Sequence, residues 1–242
     1  MVCAVCNFLA PEYKIWVPAL FYRREKMYMN NNTKKITTTA MLAAIAYVVV
    51  VVGRIPVVLF LKYDPKDIII TLGGLIWGPM TSFIVSVIVS LIEMVTISEN
   101  GVLGCIMNII STCSFACTAS VIYKKKRTLS GAVTGLVTGS LMMVLVMLLW
   151  NYLITPIYMG YPREAVAELL IPAFLPFNLL KAGLNAGFTF LLYKPITTAL
   201  RKAGYISDSQ NVQGRKPVGL WLFSGILVAT CILLILSFNG II

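Results

Sequence analysis

The sequence predicts an all-α fold: a polytopic membrane protein with a six-helix core and one extra transmembrane helix after it. Three observations carry the prediction. Hydrophobic residues fill 59% of the 242 positions and charged residues only 12%, against roughly 25% charge in a soluble domain. The mean hydropathy of +0.87 excludes a disordered chain as well as an ordinary water-soluble one. The apolar residues come in long continuous runs rather than the alternating segments of about ten residues that build a membrane barrel, so helices do the spanning.

Residues 1–32 read as an N-terminal extension. Pro11, Glu12, Lys14 and Pro18 break its apolar run, and the basic-then-apolar order of a secretory signal is missing. A start at Met27 or Met29 is a second reading of this stretch. The first span is 36–53, charge-free between Lys35 and Arg54; its length gives about 27 Å of helix, close to the hydrocarbon thickness.

The stretch 68–97 is too long for one span and carries Gly78-Pro79 in its middle. Basic residues collect on the cytoplasmic side of membrane proteins. Lys34 and Lys35 place the N-terminus inside, and the Lys124–Arg127 cluster also falls inside only if Gly78-Pro79 is a turn between two spans. The expectation is therefore two helices, about 67–78 and 79–97. The first, about 18 Å long, must be surrounded by protein at its end. Spans at 100–123, 128–156 and 171–193 complete a domain over 33–200, a polar cytoplasmic linker covers 201–216, and the extra transmembrane helix lies in 217–242.

With this topology the net charge of +11 resolves into an orientation. Fifteen basic residues fall inside and four outside (Arg54, Lys62, Lys66 and Arg163), while Lys181 falls within the membrane. The excess of Lys and Arg thus marks a membrane side and implies no nucleic-acid partner. The N-terminus is expected in the cytoplasm, and the C-terminus outside if the seventh span inserts. The chain has no histidine, which excludes a His triad, a His metal site and a His proton relay. Cys3 and Cys6 have CxxC spacing, a weak signal on its own. No GxxxxGK[ST] is present, so no ATP is bound by a P-loop.

Two charges sit inside apolar spans, Lys181 and Glu93. An ionisable group at mid-membrane costs about 3 kcal/mol or more and marks a functional site by default. Asn178 and Asn185 lie three residues before and four after Lys181, near one helix face. The competing reading is polar packing between helices, with Glu93 as the ion-pair partner of Lys181. Asn151 is deep in its span, where an amide needs either a ligand or a neighbouring helix. The outer loop 54–67 (RIPVVLFLKYDPKD) is apolar enough to fold back as a lid, or to rest on lipid headgroups. Small residues recur at Ala40 and Ala44, at Gly131, Gly135 and Gly139, and at Gly183 and Gly187. Such faces let helices approach closely, within the bundle or against a partner.

Several stretches are similar to one known family. They are Phe60-Leu61-Lys62-Tyr63-Asp64-Pro65-Lys66-Asp67, Gly73-Gly74 to Gly78-Pro79, Asn151-Tyr152 to Thr155-Pro156 and, most specifically, Pro172 to Gly183 (PAFLPFNLLKAG). Over about residues 33–200 the chain resembles the substrate-binding (S) components of energy-coupling factor (ECF) vitamin transporters, and among them the riboflavin-specific kind. The resemblance implies a six-helix core that binds riboflavin from outside under the first extracellular loop, with no cofactor and no catalysis of its own. It implies Asn151, Asn178 and Lys181 as polar ligand contacts, Leu61, Tyr63 and Asp64 as lid contacts, and Glu93 as a contact to the ribityl chain or ring edge. It also implies partners in the cell membrane: a transmembrane coupling protein docked on an AxxxA face at Ala40 and Ala44, and two ATP-binding subunits. The extension before residue 33 and the span at 217–238 exceed the family's usual extent. Alternatives are an S component for another vitamin or precursor and, from a different class, an intramembrane enzyme using Lys181 and Glu93 as base and acid.

Overall fold

The charge-free runs become helices, in the order expected from the sequence. The structure, a computed structural model, describes residues 31–58, 61–98, 101–160, 162–202 and 218–238. The N-terminal extension as far as residue 30, with its CxxC pair, and the linker from residue 203 onward lie outside the described residues. By its contacts the chain divides into Met1–Thr37, which contributes the first turns of α1, and Thr38–Ile242, which holds everything that follows.

Helix α1 (Asn31–Gly53) leads into a short antiparallel hairpin, β1 (Ile55–Val58) and β2 (Leu61–Tyr63), with Ile55 opposite Tyr63 and Pro56 opposite Lys62. Next come α2 (Lys66–Trp77), α3 (Pro79–Thr96), α4 (Gly101–Lys126) and α5 (Leu129–Met159). A short α6 (Arg163–Leu169) and a π-helical turn (Leu170–Phe174) run into α7 (Leu175–Lys202), and α8 (Val218–Phe238) is the last. Five stretches are long and apolar enough to cross a membrane: Lys35–Gly53, Pro79–Thr96, Gly101–Lys126, Leu129–Ile157 and Arg163–Leu200. The hairpin is the one departure from an all-helical expectation, and it forms where the outer loop was expected to fold back.

The break between α2 and α3 falls at Gly78, as expected. Its φ of 103° is open to glycine and strained for other residues, and Pro79 then occupies the first turn of α3, where its missing N–H is no loss. At twelve residues, α2 is the short helix, and it packs against α3, α4 and α7. Nine of its residues are buried, including Lys66 and Asp67 at its start. Both had counted as outer-loop charges in the sequence. They face inward because α2 folds back antiparallel to α3 and under α7.

The glycine stripe Gly135–Gly139 is a packing device within the bundle. A Cβ on Gly135 would stand 2.7 Å from the Ala119 carbonyl oxygen, and one on Gly139 would stand 2.7 Å from that of Phe115. Backbone cannot yield as a side-chain end can, so α4 and α5 touch only because these positions are bare. The substitution Gly135→Val is expected to cost about 1–3 kcal/mol, read as a lowered thermal unfolding midpoint in detergent. Around Phe115, Ala119, Leu136, Met143 and Phe190 these two helices and α7 build one apolar core. A second, on Ala43, Ala46, Ile70, Val85 and Val89, joins α1 to α2 and α3.

Candidate functional site

The buried charges gather at one end of the bundle, beside the hairpin. Arg54, after α1, donates from Nε to Asp64 Oδ1 at 2.7 Å and from Nη2 to Glu93 Oε2 at 3.3 Å. Lys66 donates to both oxygens of Glu93, at 2.5 and 2.6 Å, and Asn108 on α4 donates to the same carboxylate at 3.1 Å. Asp67 is the second hub. Its carboxylate accepts from Thr112 at 2.6 Å and from Asn185 at 3.2 Å, and lies 3.3 Å from Lys181 Nζ. Asn185 in turn accepts from the Tyr63 hydroxyl at 3.1 Å, which ties β2 to α7. Three cations, Arg54, Lys66 and Lys181, thus meet three carboxylates, Asp64, Asp67 and Glu93. Formal charge cancels within the cluster, which makes its burial tolerable.

The two groups on the loop segment shift in opposite directions, because the cations face Asp64 and the carboxylates face Tyr63. Burial alone would raise the Asp64 carboxyl, but Lys66, Lys181 and Arg54 outweigh it and hold it below its ordinary value. The Arg54–Asp64 pair therefore persists in mild acid and is lost only as pH falls through that depressed range. Burial, with Asp67 and Asp64 nearby, pushes the Tyr63 phenol upward, so it stays a proton donor to Asn185.

A cleft opens beside the cluster, with about 700 Å³ of atom-free space counting its mouth. Its polar lining includes Arg54, Asp64, Asn108, Ser111, Asn151, Asn178 and Lys181; Leu61, Met107, Met147 and Phe177 supply apolar walls. The Lys181 side chain also donates to Ser111 at 3.4 Å. Asn178 is fixed from behind, donating to the Phe174 carbonyl at 2.8 Å. Phe174 ends the π-helical turn, a local widening that recurs at functional sites. Asn151 is 1% exposed; its Oδ1 accepts from Thr155, and its Nδ2 has no hydrogen-bond partner among the described residues.

The structure thus brings five sequence-selected residues together around one cleft: Asn151, Asn178, Lys181, Leu61 and Asp64. Tyr63 and Glu93 stand behind that lining, each engaged by the cluster. The Lys181–Glu93 pair of the competing reading does not form. Lys66 reaches Glu93 first, because α2 and α3 run antiparallel from Gly78, and this leaves Asp67 to face α7 and Lys181. Nor does Glu93 reach water, being 1% exposed. An acid–base pair of Lys181 and Glu93 would need a shared site, and each is held by a different partner. Asn108, Ser111, Met107 and Met147 were not singled out from the sequence. Asn108 carries the same signal as Asn151, an amide inside a charge-free run.

Ala40 and Ala44 are both exposed on α1, whereas Ala43 and Ala46 of the same helix are buried in the bundle. The small pair faces away from the protein's own core.

These features define an apolar helical bundle with a polar-lined cleft beside a hairpin and a balanced cluster of buried charges. The family described as ECF transporter, substrate-specific component, matches residues 34–193, and the chain belongs to it. It is a multi-pass membrane protein of a transporter family whose members are not enzymes and carry no cofactor. The chain is 28% identical over 149 residues to a protein of Staphylococcus aureus (strain TCH60) named riboflavin transporter RibU, spanning 59% of this chain and 78% of that one. A solved structure, described as the S component of a bacterial ECF transporter, superposes with a TM-score of 0.60 at 28% identity, covering 70% of this chain and 99% of that one.

Proposed function

We propose that the chain is the riboflavin-binding membrane subunit of an ECF-type importer. The observation that carries this reading is the cleft itself, which sets buried amide and ammonium donors against apolar walls in a chain related to a riboflavin transporter. The flavin ring has an apolar dimethylbenzene end and a polar edge of carbonyl oxygens with one N–H. Lys181 can donate to such a carbonyl, and the amides of Asn151 and Asn178 can donate or accept. Leu61, Met107, Met147 and Phe177 offer surfaces to cover the ring. Asp64 and Tyr63 act from the lid, and Glu93 holds the lid's root through Arg54.

The energy comes from elsewhere: a transmembrane coupling protein and two ATP-binding subunits, docked on the outward face of α1 at Ala40 and Ala44. The cleft opens to the outside and the Lys124–Arg127 end lies in the cytoplasm, following the basic-residue asymmetry. Residues 33–200 form the binding domain, 201–216 a cytoplasmic linker and 217–242 an additional membrane helix whose far end lies outside.

Protein purified in detergent is expected to be yellow, with a flavin absorption spectrum, or to quench riboflavin fluorescence on titration. Colourless protein without quenching would refute riboflavin and leave an S component for another small molecule. Lys181→Ala is expected to weaken binding at least tenfold, the worth of a hydrogen bond from a charged donor at about 1.5–3 kcal/mol. Ala40→Trp should leave binding intact and abolish ATP-driven uptake in vesicles; preserved uptake would remove α1 as the docking face.

A further inference from the structure

The helix beyond the family match, α8, is not peripheral to the bundle. Its buried residues Ser224, Val228, Cys231 and Ile235 recur at steps of four, three and four, a single stripe. Leu222, Ile226 and Leu233 on other faces are exposed, as suits contact with lipid. The stripe lies antiparallel along α7. Ser224 donates to the Gly187 carbonyl at 2.9 Å, a Cβ on Gly187 would stand 2.6 Å from Val228 Cγ2, and one on Gly183 would stand 3.2 Å from Cys231 Sγ.

The far end of the same stripe reaches the lid. Helix α8 meets β1 directly, and Val228, Cys231 and Ile235 share one buried apolar cluster with Val57, Leu61 and Tyr63 of the hairpin. Phe177, Leu180 and Leu184 of α7 belong to that cluster too. These alternate along α7 with Asn178, Lys181 and Asn185, which face the cleft and Asp67. One helix therefore backs two walls of the cleft, the hairpin and the lysine-bearing helix.

We propose that α8 is a positioning element of the ligand site, clamping the hairpin to α7 and so setting how long a ligand stays bound. The inference rests on the reading of this cleft as the riboflavin site for its kinetic arm alone. Opening the lid requires parting Val57, Leu61 and Tyr63 from a cluster to which α8 contributes three side chains. The same parting is needed for entry and for exit, because the hairpin is packed on α8 in the free protein, so loosening the cluster speeds both steps.

The test uses full-length Val228→Ala and Ile235→Ala, with Leu233→Ala as the exposed control. Amide hydrogen exchange is measured without ligand over Ile55–Val58 and Leu61–Tyr63, and riboflavin association and dissociation are measured separately by fluorescence. Faster exchange in the hairpin is expected, together with several-fold faster riboflavin dissociation and faster association, while Leu233→Ala behaves as the parent. Unchanged hairpin exchange in the folded variants would overturn the proposal. So would exchange that rises equally in the α4–α5 pair, since that marks general loosening. If Ile235→Ala does not fold, Ile235→Val is expected to give the same pattern at smaller amplitude. Absence of riboflavin binding in the parent would overturn the functional reading alone, and hairpin exchange would still decide this one.

Discussion

Glu93→Gln is expected to destabilise the protein more than any other single change in the site, by about 3–5 kcal/mol. The reason is the residue left behind. Lys66 is fully buried, and its ammonium is engaged by Glu93 through both carboxylate oxygens. A neutral amide cannot balance that charge, and its single oxygen cannot serve Lys66, Arg54 and Asn108 as the two carboxylate oxygens do. Because the loss comes from a stranded cation, removing the cation as well should recover most of it. Lys66→Met combined with Glu93→Gln is expected to unfold within about 1–2 kcal/mol of the parent, since an apolar replacement of a buried pair is often near neutral. Unfolding followed by tryptophan fluorescence in detergent checks both, and a Glu93→Gln protein as stable as the parent would mean that the Lys66–Glu93 pair carries no such weight.

Asn151→Leu is expected to do the reverse, sparing the fold and striking the ligand. The Nδ2 of Asn151 is buried with no partner among the described residues, so its removal takes no hydrogen bond from the protein. Only Thr155 loses an acceptor, and its hydroxyl can turn to a carbonyl one helical turn back. A ligand oxygen that meets that amide would be left unsatisfied, at about 1–3 kcal/mol, or roughly 10–100-fold in affinity. Isothermal titration with riboflavin, beside a thermal melt of the free protein, separates the two effects. Equal loss of stability and affinity would make Asn151 a packing residue.

The membrane helices and the turn at Gly78 were legible in the sequence because both rest on local signals, a charge-free run of sufficient length and a Gly-Pro pair read against the basic residues. Lys181, Asn178 and Asn151 stood out for the same reason, as polar groups where the run should be apolar. Lys66 and Asp67 did not. In the sequence they close the charged stretch Lys62–Asp67 at the end of the outer loop, and only the packing of α2 against α7 takes them out of water. The choice of partners, Lys66 for Glu93 and Lys181 for Asp67, was hidden as well, because it depends on helix order in space. The β1–β2 hairpin had no tight-turn signature to announce it. The cleft-facing Asn108 and Ser111 were within reach of the argument applied to Asn151, and only the apolar walls Met107 and Met147 had no signal to separate them from ordinary core.

The buried cluster also bears on how the chain enters a bilayer. Helix α2 carries two full charges and spans only twelve residues, so lipid offers it no stable place by itself. Lys66 meets its counter-charge 27 positions later in the chain, with α3. Asp67 meets Lys181 and Asn185 only on α7, the latter 118 positions on. The charges of α2 are therefore balanced in full only where α3 and α7 both lie beside it. Without α7, Asp67 would keep the Thr112 hydroxyl and lose its cation, so burial of the short helix is tied to the helix that carries Lys181.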